Sequence, residues 1–279
     1  MSVKTHSPSR LDELLPVLAC PSCHAALHLG EDHLLCRGCG SRFAVREGRP
    51  VFWPDSSTVK IMPAQHLSNS MPGEIMDWLT WFDGLVLNVG AGGSHHKFDN
   101  CIELEACIFR NTDVVGDAHH LPFADETFDA VITFNTFEHL RDPKCAAGEI
   151  HRVLKPGGKL VLHTAFLQPV HEAPYHFYNT TEYGLRNWFD GFTITKLEAS
   201  ENFSPAYVFG WLATEVIHAV EMTQGREAAQ QLAATPLSFW QSRWVKPAER
   251  KHPIWQMLGR LPQEMQKRFS AGFCLEAVK

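Results

Sequence analysis

"LVLNVGAGGS" (residues 85–94) is a short apolar run ending in closely spaced glycines, the pattern of a buried parallel strand that feeds a tight turn. Downstream, "NCIELEA" (100–106) reads as a second strand with acids at its end. "DVVGDAHHLPFADETFDAVITFNTFEHLRDP" (113–143) continues the pattern, and "KCAAGEIHRVLKPGGKLVLHT" (144–164) adds a helix, a glycine stop and another strand. Upstream, "GEIMDWLTWFDG" (73–84) places apolar residues at helical spacing. This alternation predicts an α/β protein with a doubly wound parallel sheet whose ligand site lies at the carboxyl ends of the strands. Gly90 and Gly92 remove side chains where a ligand must approach the backbone, and free amides in such a turn bind carboxylates. The dinucleotide fingerprint G-x-G-x-x-G is not met, because Gly90, Gly92 and His95 fall on its glycine positions, which argues against a pyrophosphate ligand. Eleven residues, Ser94 through Leu104, separate Gly93 from Glu105. That is too few for a full helix and strand, so the first crossover helix is expected to be truncated or nearly absent.

Working outward to the N-terminus, four of the eight cysteines form "CPSC" (20–23) and "CRGC" (36–39), twelve residues apart. Two turns that each offer a pair of thiolates close a tetrahedron around one zinc ion. Cys20, Cys23, Cys36 and Cys39 would fill every coordination position, so the metal holds a fold rather than activating water. His24 follows a ligand in a site already full and is expected at the surface. Arg37, Arg42, Arg46 and Arg49 gather cationic charge on this fragment; they read as a contact for a partner or RNA, or as a solvated hairpin face. A polar, proline-marked linker is expected at about 55–72, which gives a zinc-ribbon domain and linker over 1–58 and a second domain over 72–279.

The chain has 279 residues, 44% hydrophobic and 20% charged, which excludes disordered, collagenous and coiled-coil classes. Its most apolar stretch, "AYVFGWLATEVIHAV" (206–220), carries Glu215 and His218, so no membrane span is expected. The N-terminus lacks the features of a signal peptide, so a cytoplasmic location with reduced thiols is expected. With 25 basic and 31 acidic residues the net charge is −6, which gives no global attraction to nucleic acid or anionic lipid.

"VLNVGAGGS", "GDAHHLPFADETFDAV", "FEHLRDP" and "RVLKPGGKLVL" occur in the order and spacing of successive motifs of the S-adenosylmethionine-dependent methyltransferases of the Rossmann-like class, particularly the ubiquinone-biosynthesis-type group, which residues 85–165 resemble. Residues 18–54 resemble the short zinc-ribbon proteins that accompany or activate methyltransferases, in the paired cysteines, the F-x-V strand and the G-x-P-V-F exit. The first resemblance implies S-adenosylmethionine as cofactor. It places Gly90, Ala91 and Gly92 along the methionine and ribose portion, with Asn88 at the usual acidic position before the turn. Glu105 falls at the strand-end acid for the ribose hydroxyls, with Glu103 as competitor on the same strand face. Asp117 and Ala118 sit where the family reads adenine, and Phe134 and Asn135 end the fourth strand beside the sulfonium.

Methyl transfer is an in-line displacement in which the protein mainly supplies position and electrostatics. Candidates for a base are His139, in "FEHL", and His171 and His176, in "LQPVHEAPYHFYNTTEYGLRNWF" (167–189); Tyr178 joins the last two as a substrate-binding candidate. His95, His96, His119 and His120 are expected to face solvent. "FTITKLEAS" (192–200) reads as a sixth strand and "GFCLEAVK" (272–279) as the last. The aromatic, helix-like block 201–271 is then a helical insertion before the last strand, serving as substrate lid, oligomer surface or plain core. The resulting expectation is transfer of a methyl group to an O or N acceptor on a small metabolite, glycan or lipid-linked intermediate. A ribosomal RNA base methyltransferase is the alternative, and a non-catalytic cofactor-binding subunit is the alternative from another class. Oligomerisation would use the ribbon or the insertion.

Overall fold

The computed structural model describes residues 10–68, 71–94, 96–199 and 203–271. These fall into two compact units, one within 1–165 and 180–195 and the other within 166–179 and 196–279.

The first unit opens with helix α1 (Arg10–Leu14) and four short antiparallel strands, β1 (Leu27–Leu29), β2 (His33–Cys36), β3 (Arg42–Arg46) and β4 (Arg49–Val51). Helix α2 (Gly73–Trp81) precedes β5 (Val86–Val89), β6 (Cys101–Glu105), β7 (Val114–Val115) and β8 (Phe128–Phe134); helix α3 (Pro143–Val153) leads into β9 (Leu154–His163), and α4 (Glu182–Trp188) follows. Strand order is β1-β2-β3-β4-β7-β6-β5-β8-β9. The five strands from β7 to β9 are parallel, with the order reversing at β5, the point where doubly wound sheets bind ligands. No helix occurs among the described residues between β5 and β6, matching the short spacing there.

The ribbon is not hung on a free tether. Val51 of β4 pairs in parallel with Val115 of β7, and the Phe52 amide continues the ladder to the Val115 carbonyl at 2.8 Å. The buried ribbon residues Leu11, Leu14, Leu18 and Leu34 share one apolar cluster with Leu87, Val114 and Phe123. Two of the four ribbon arginines also turn inward: Arg49 Nε donates to the Thr112 carbonyl at 2.7 Å, and Arg46 Nη1 donates to the carbonyls of Ser56 and Val59. Their charge anchors backbone that would otherwise lack partners. The stretch read as a linker is likewise hydrogen-bonded. The Met62 amide donates to the Ile108 carbonyl, and the Ser68 amide donates to the Gly93 carbonyl at 3.0 Å.

Two apolar layers sandwich the sheet. Helix α2 packs Ile75 and Leu79 on the face carrying Val86, Cys101, Ala130, Ile132 and Phe134. Helix α3 covers the opposite face with Ala146, Ala147, Ile150 and Val153. Its start is set by Pro143 in the first turn and by the Asp142 carboxylate, which accepts the Cys145 amide at 3.0 Å. From α3, Arg152 donates to the carbonyls of Leu121 and Phe123 and to the carboxylates of Asp125 and Glu149, clamping the loop that enters β8.

The second unit contains α5 (Pro205–Gln224), α6 (Arg226–Ala233), α7 (Leu237–Val245), α8 (Pro253–Gly259) and α9 (Gln263–Phe269), around a core of Val220, Leu232, Met257 and Leu261. The helix-like reading of 201–271 agrees with these elements. The sixth strand does not form: residues 193–199 carry no regular structure, since alternation alone cannot provide the neighbouring edge a strand needs. The expected last strand, 272–279, lies outside the described residues. No described helix is long and apolar enough to cross a membrane.

Candidate functional site

In the ribbon, the ligand atoms of Cys20, Cys23, Cys36 and Cys39 all lie within 4.8 Å of one another. Sγ of Cys20 is 3.6 Å from that of Cys39, and Sγ of Cys23 is 3.4 Å from that of Cys36, near the edge of about 3.8 Å of a tetrahedron with Zn–S bonds of about 2.3 Å. Burial pushes the Cys20 thiol up to about 12, whereas the Ser41 hydroxyl and amide pull Cys39 down to about 6. Four cysteine sulfurs gathered at these distances form a donor set that fits a structural zinc. His24 is exposed, as expected, at φ 56°.

At the carboxyl ends of the parallel strands, β5 runs into Gly90 and Gly92, both at positive φ (70° and 62°). A Cβ on Gly90 would fall on the Thr136 side chain, and one on Gly93 would fall on the His66 carbonyl, so this turn is glycine for conformation and for space alike. Asn88, Gly90, Ala91 and Phe134 line a small pocket together with Met71 and Ser94.

The two acids of β6 are separated by depth. Glu103 is 3% exposed and accepts the Asn88 amide at 2.9 Å; burial pushes its carboxyl up to about 7, against the pull of Lys97. Glu105, at the strand end, accepts the Gly92 amide at 2.9 Å and the Ala106 amide at 2.7 Å. Burial raises its pKa while these amides pull it back. Beside β7, Ala118 is buried and Asp117 half-buried. Asp117 Oδ1 takes both the amide and Nδ1 of His119, while His119 Nε2 accepts the Asp142 amide at 3.1 Å. His119 is therefore a structural link and not the solvent-facing residue expected; His96 and His120 are exposed, and His95 lies outside the described residues. At the end of β8, Asn135 adopts φ 52° and donates its amide to the His163 carbonyl at 3.0 Å.

Residues 99–162 match the model of the Methyltransf_11 methyltransferase domain, and residues 12–48 match that of Trm112p-like proteins. The chain thus carries a stretch similar to a methyltransferase domain behind one similar to Trm112p-like proteins. An uncharacterized methyltransferase of Schizosaccharomyces pombe is 31% identical over 127 residues, 46% of this chain and 37% of that protein. The ubiquinone/menaquinone biosynthesis C-methyltransferase UbiE of Haemophilus ducreyi is 33% identical over 97 residues, 32% of this chain and 37% of that protein. A demethylmenaquinone methyltransferase of Renibacterium salmoninarum is 51% identical over 49 residues, 18% and 21% of the two chains. The chain thus spans little more than a third of the length of these relatives at most. A solved complex of the Haloferax volcanii Trm112 methyltransferase activator with a methyltransferase is 20% identical at a TM-score of 0.33, covering 42% of this chain and 66% of that one.

Within the methyltransferase unit, His139 lies in the single turn Phe137–His139 that follows β8. His171 and His176 belong to the second unit and touch each other there. His176 Nδ1 accepts the His171 amide at 3.2 Å, its Nε2 is 3.2 Å from Asn179 Oδ1, and His171 Nδ1 is 3.0 Å from the Pro169 carbonyl. The His171 ring packs against Trp211 at 5.4 Å. Tyr178 is exposed.

Sequence reading missed Met71 and Ser94 in the pocket wall and Ser68, whose hydroxyl accepts the Gly93 amide at 2.9 Å. It also missed His163, which is register partner to Phe134 on the face covered by α2, with ring centroids 5.0 Å apart. Burial holds its pKa below the usual histidine value. Strand alternation carries the signal for His163, two residues beyond Val161, which packs on the same face. Nothing local marks the others.

Proposed function

We propose that this chain transfers a methyl group from S-adenosylmethionine to an oxygen or nitrogen of a small metabolite, glycan or lipid-linked acceptor. The observation that carries the reading is Glu105, a strand-end carboxylate clamped to the amide of Gly92, in the same glycine turn that lines a pocket with Asn88, Gly90, Ala91 and Phe134. Its two oxygens accept the Gly92 and Ala106 amides, and a carboxylate held this way at a strand end presents acceptors for two neighbouring hydroxyls of a ribose. Glu103 is buried and hydrogen-bonded to Asn88, which favours Glu105 for the contact. The glycine turn leaves the backbone open to the methionyl part, and Asp117 with the Ala118 amide is assigned to adenine.

When bound, S-adenosylmethionine supplies an electrophilic methyl on a sulfonium. The work left to the protein is orientation and exclusion of water. Phe134 and Asn135 at the end of β8 form the wall of the reacting end. His139 follows them in the chain, and His171 and His176 follow β9; these three are assigned to acceptor binding or proton removal. Loops after the fourth and fifth strands of a doubly wound sheet face the transferred group. A small acceptor rather than RNA is supported by the net charge of −6 and by the inward-facing Arg46 and Arg49, since RNA binding needs an outward basic surface. A cytoplasmic location accords with the reduced thiolates a zinc ribbon requires.

Calorimetric titration with S-adenosylmethionine tests the cofactor, followed by a labelled-methyl screen across metabolite, glycan, lipid-linked and RNA pools. Glu105→Ala removes charge-assisted hydrogen bonds worth about 1.5–3 kcal/mol, a loss of affinity of roughly 10- to 150-fold. No binding by the wild type would refute the proposal. Binding without turnover in any pool would identify a regulatory subunit, and label in RNA would replace the acceptor class.

A further inference from the structure

Among the described residues, the buried side-chain atoms without a hydrogen-bond partner are Thr133 Oγ1, Asn135 Oδ1, Glu138 Oε1 and Arg243 Nε. Three of these four fall within six consecutive residues at the end of β8, and all three are oxygens. Native structures rarely leave buried acceptors unmatched, so such a concentration points to a missing occupant. Glu138 is the sharpest case. Its carboxylate is 0% exposed, and Oε2 accepts the Thr164 hydroxyl at 2.9 Å while Oε1 accepts nothing. A buried carboxylate half supplied with donors is a costly arrangement unless a positive charge completes it.

The backbone here is also shaped for something other than packing. Asn135 holds φ 52°, in the left-handed region that glycine and asparagine adopt most readily and that recurs at functional sites. Its amide oxygen, an acceptor only, is another of the unmatched atoms. A ligand atom of Glu138 and a ring nitrogen of His139 lie within 4.8 Å of each other, a span one divalent ion bridges with bonds of about 2.0–2.4 Å. A neutral hydroxyl would satisfy one of these lone pairs. A cation satisfies the open carboxylate oxygen and supplies the charge that Glu138 lacks.

We propose that Glu138 and His139 hold a divalent cation at the carboxyl end of β8. A carboxylate oxygen with one imidazole suits a divalent ion such as Mn2+, with water filling the remaining positions. Thr164 is a positioning residue: its hydroxyl fixes Oε2 and so aims Oε1. Cation binding stands apart from the reaction. Its use rests on the methyl-transfer reading, in which an ion one turn beyond Phe134 would take an acceptor oxygen as a further ligand and lower the pKa of its hydroxyl, while the acceptor proton leaves to solvent or a histidine.

The test is a titration of the zinc-loaded full chain with Mn2+, read by electron paramagnetic resonance, with calorimetric titration of S-adenosylmethionine in parallel. One Mn2+ per chain is expected, with at least a tenfold loss of affinity in Glu138→Gln and a smaller loss in Thr164→Ala, which leaves every ligand atom in place. Retained cofactor binding by both variants shows that they fold. The proposal is overturned if the wild type takes up no Mn2+ at millimolar concentration or if Glu138→Gln binds as tightly. It is also overturned if Glu138→Gln abolishes turnover that is itself indifferent to added or chelated cation, which would hand Glu138 directly to the acceptor's hydroxyl. Mn2+ binding in a chain that ignores S-adenosylmethionine would uphold the site and remove the methyl-transfer reading alone.

Discussion

Replacing Glu103 by Gln should make the protein more stable, and only at the alkaline end of its range. Glu103 is 3% exposed on β6, with Asn88 donating to one carboxylate oxygen. Burial raises its pKa from 4.5 to about 7. Between those values the native state holds a proton that the unfolded chain has released, so stability falls as pH rises from about 4.5 to about 7 and stays low above it. The difference of about 2.5 units corresponds to roughly 3 kcal/mol. Glutamine keeps the shape and an oxygen for the Asn88 amide but never ionises, so the variant escapes this loss; losing the attraction of Lys97 subtracts from the gain. Urea midpoints for both proteins, at constant zinc, should therefore coincide near pH 4.5 and diverge by pH 8, with Glu103→Gln ahead by about 2–3 kcal/mol. The subtraction cancels every other titrating group. Parallel curves, or a variant that loses ground at high pH, would show that Glu103 is ionised and matched in the fold and would refute the reasoning.

Removing the metal from the ribbon should release one zinc per chain and melt strands β1–β4, read as zinc by elemental analysis and as a loss of strand signal by circular dichroism; full retention of structure without metal would contradict the four-thiolate site. Gly90→Ala should cost about 1–2 kcal/mol from its φ of 70° alone, more once the Thr136 side chain is displaced, and should weaken cofactor binding in calorimetry. Asp142→Ala should lower stability by about 1 kcal/mol through loss of the α3 cap, without changing cofactor affinity. His171→Ala and His176→Ala should lower turnover or acceptor affinity with cofactor affinity unchanged, and wild-type kinetics in both would make their loop structural.

Readings that rested on short-range pattern match the structure. The cysteine pairs are local geometry, because a C-x-x-C turn brings its two thiols together whatever surrounds it, and Leu85–Ser94 announces its strand and turn through burial and glycine alone. The depth of Glu103 against Glu105 was not legible, because residues two apart on a strand share a face and differ only in what covers them. Nor was the fate of 192–199, whose alternation suits a strand that finds no partner among the described residues. The histidines divided the same way. His119 looks like a surface residue in sequence yet is fastened to Asp117 and Asp142, while His163 passed unremarked until β9 paired with β8.

By itself the sequence determined the order of elements from β5 to β9, the paired cysteines, the glycine turn and the methyltransferase-like motifs, since each depends on residues within a few positions of one another. Tertiary structure alone decided that the ribbon continues the parallel sheet through Val51 and Val115, that Arg46 and Arg49 donate to backbone carbonyls, and that Glu138 is buried with one oxygen unmatched. The physical reason is the same in each case. Pairing, burial and hydrogen-bond satisfaction belong to contacts between distant segments, and a carboxylate or guanidinium acquires its charge state and its partner only when those segments close around it.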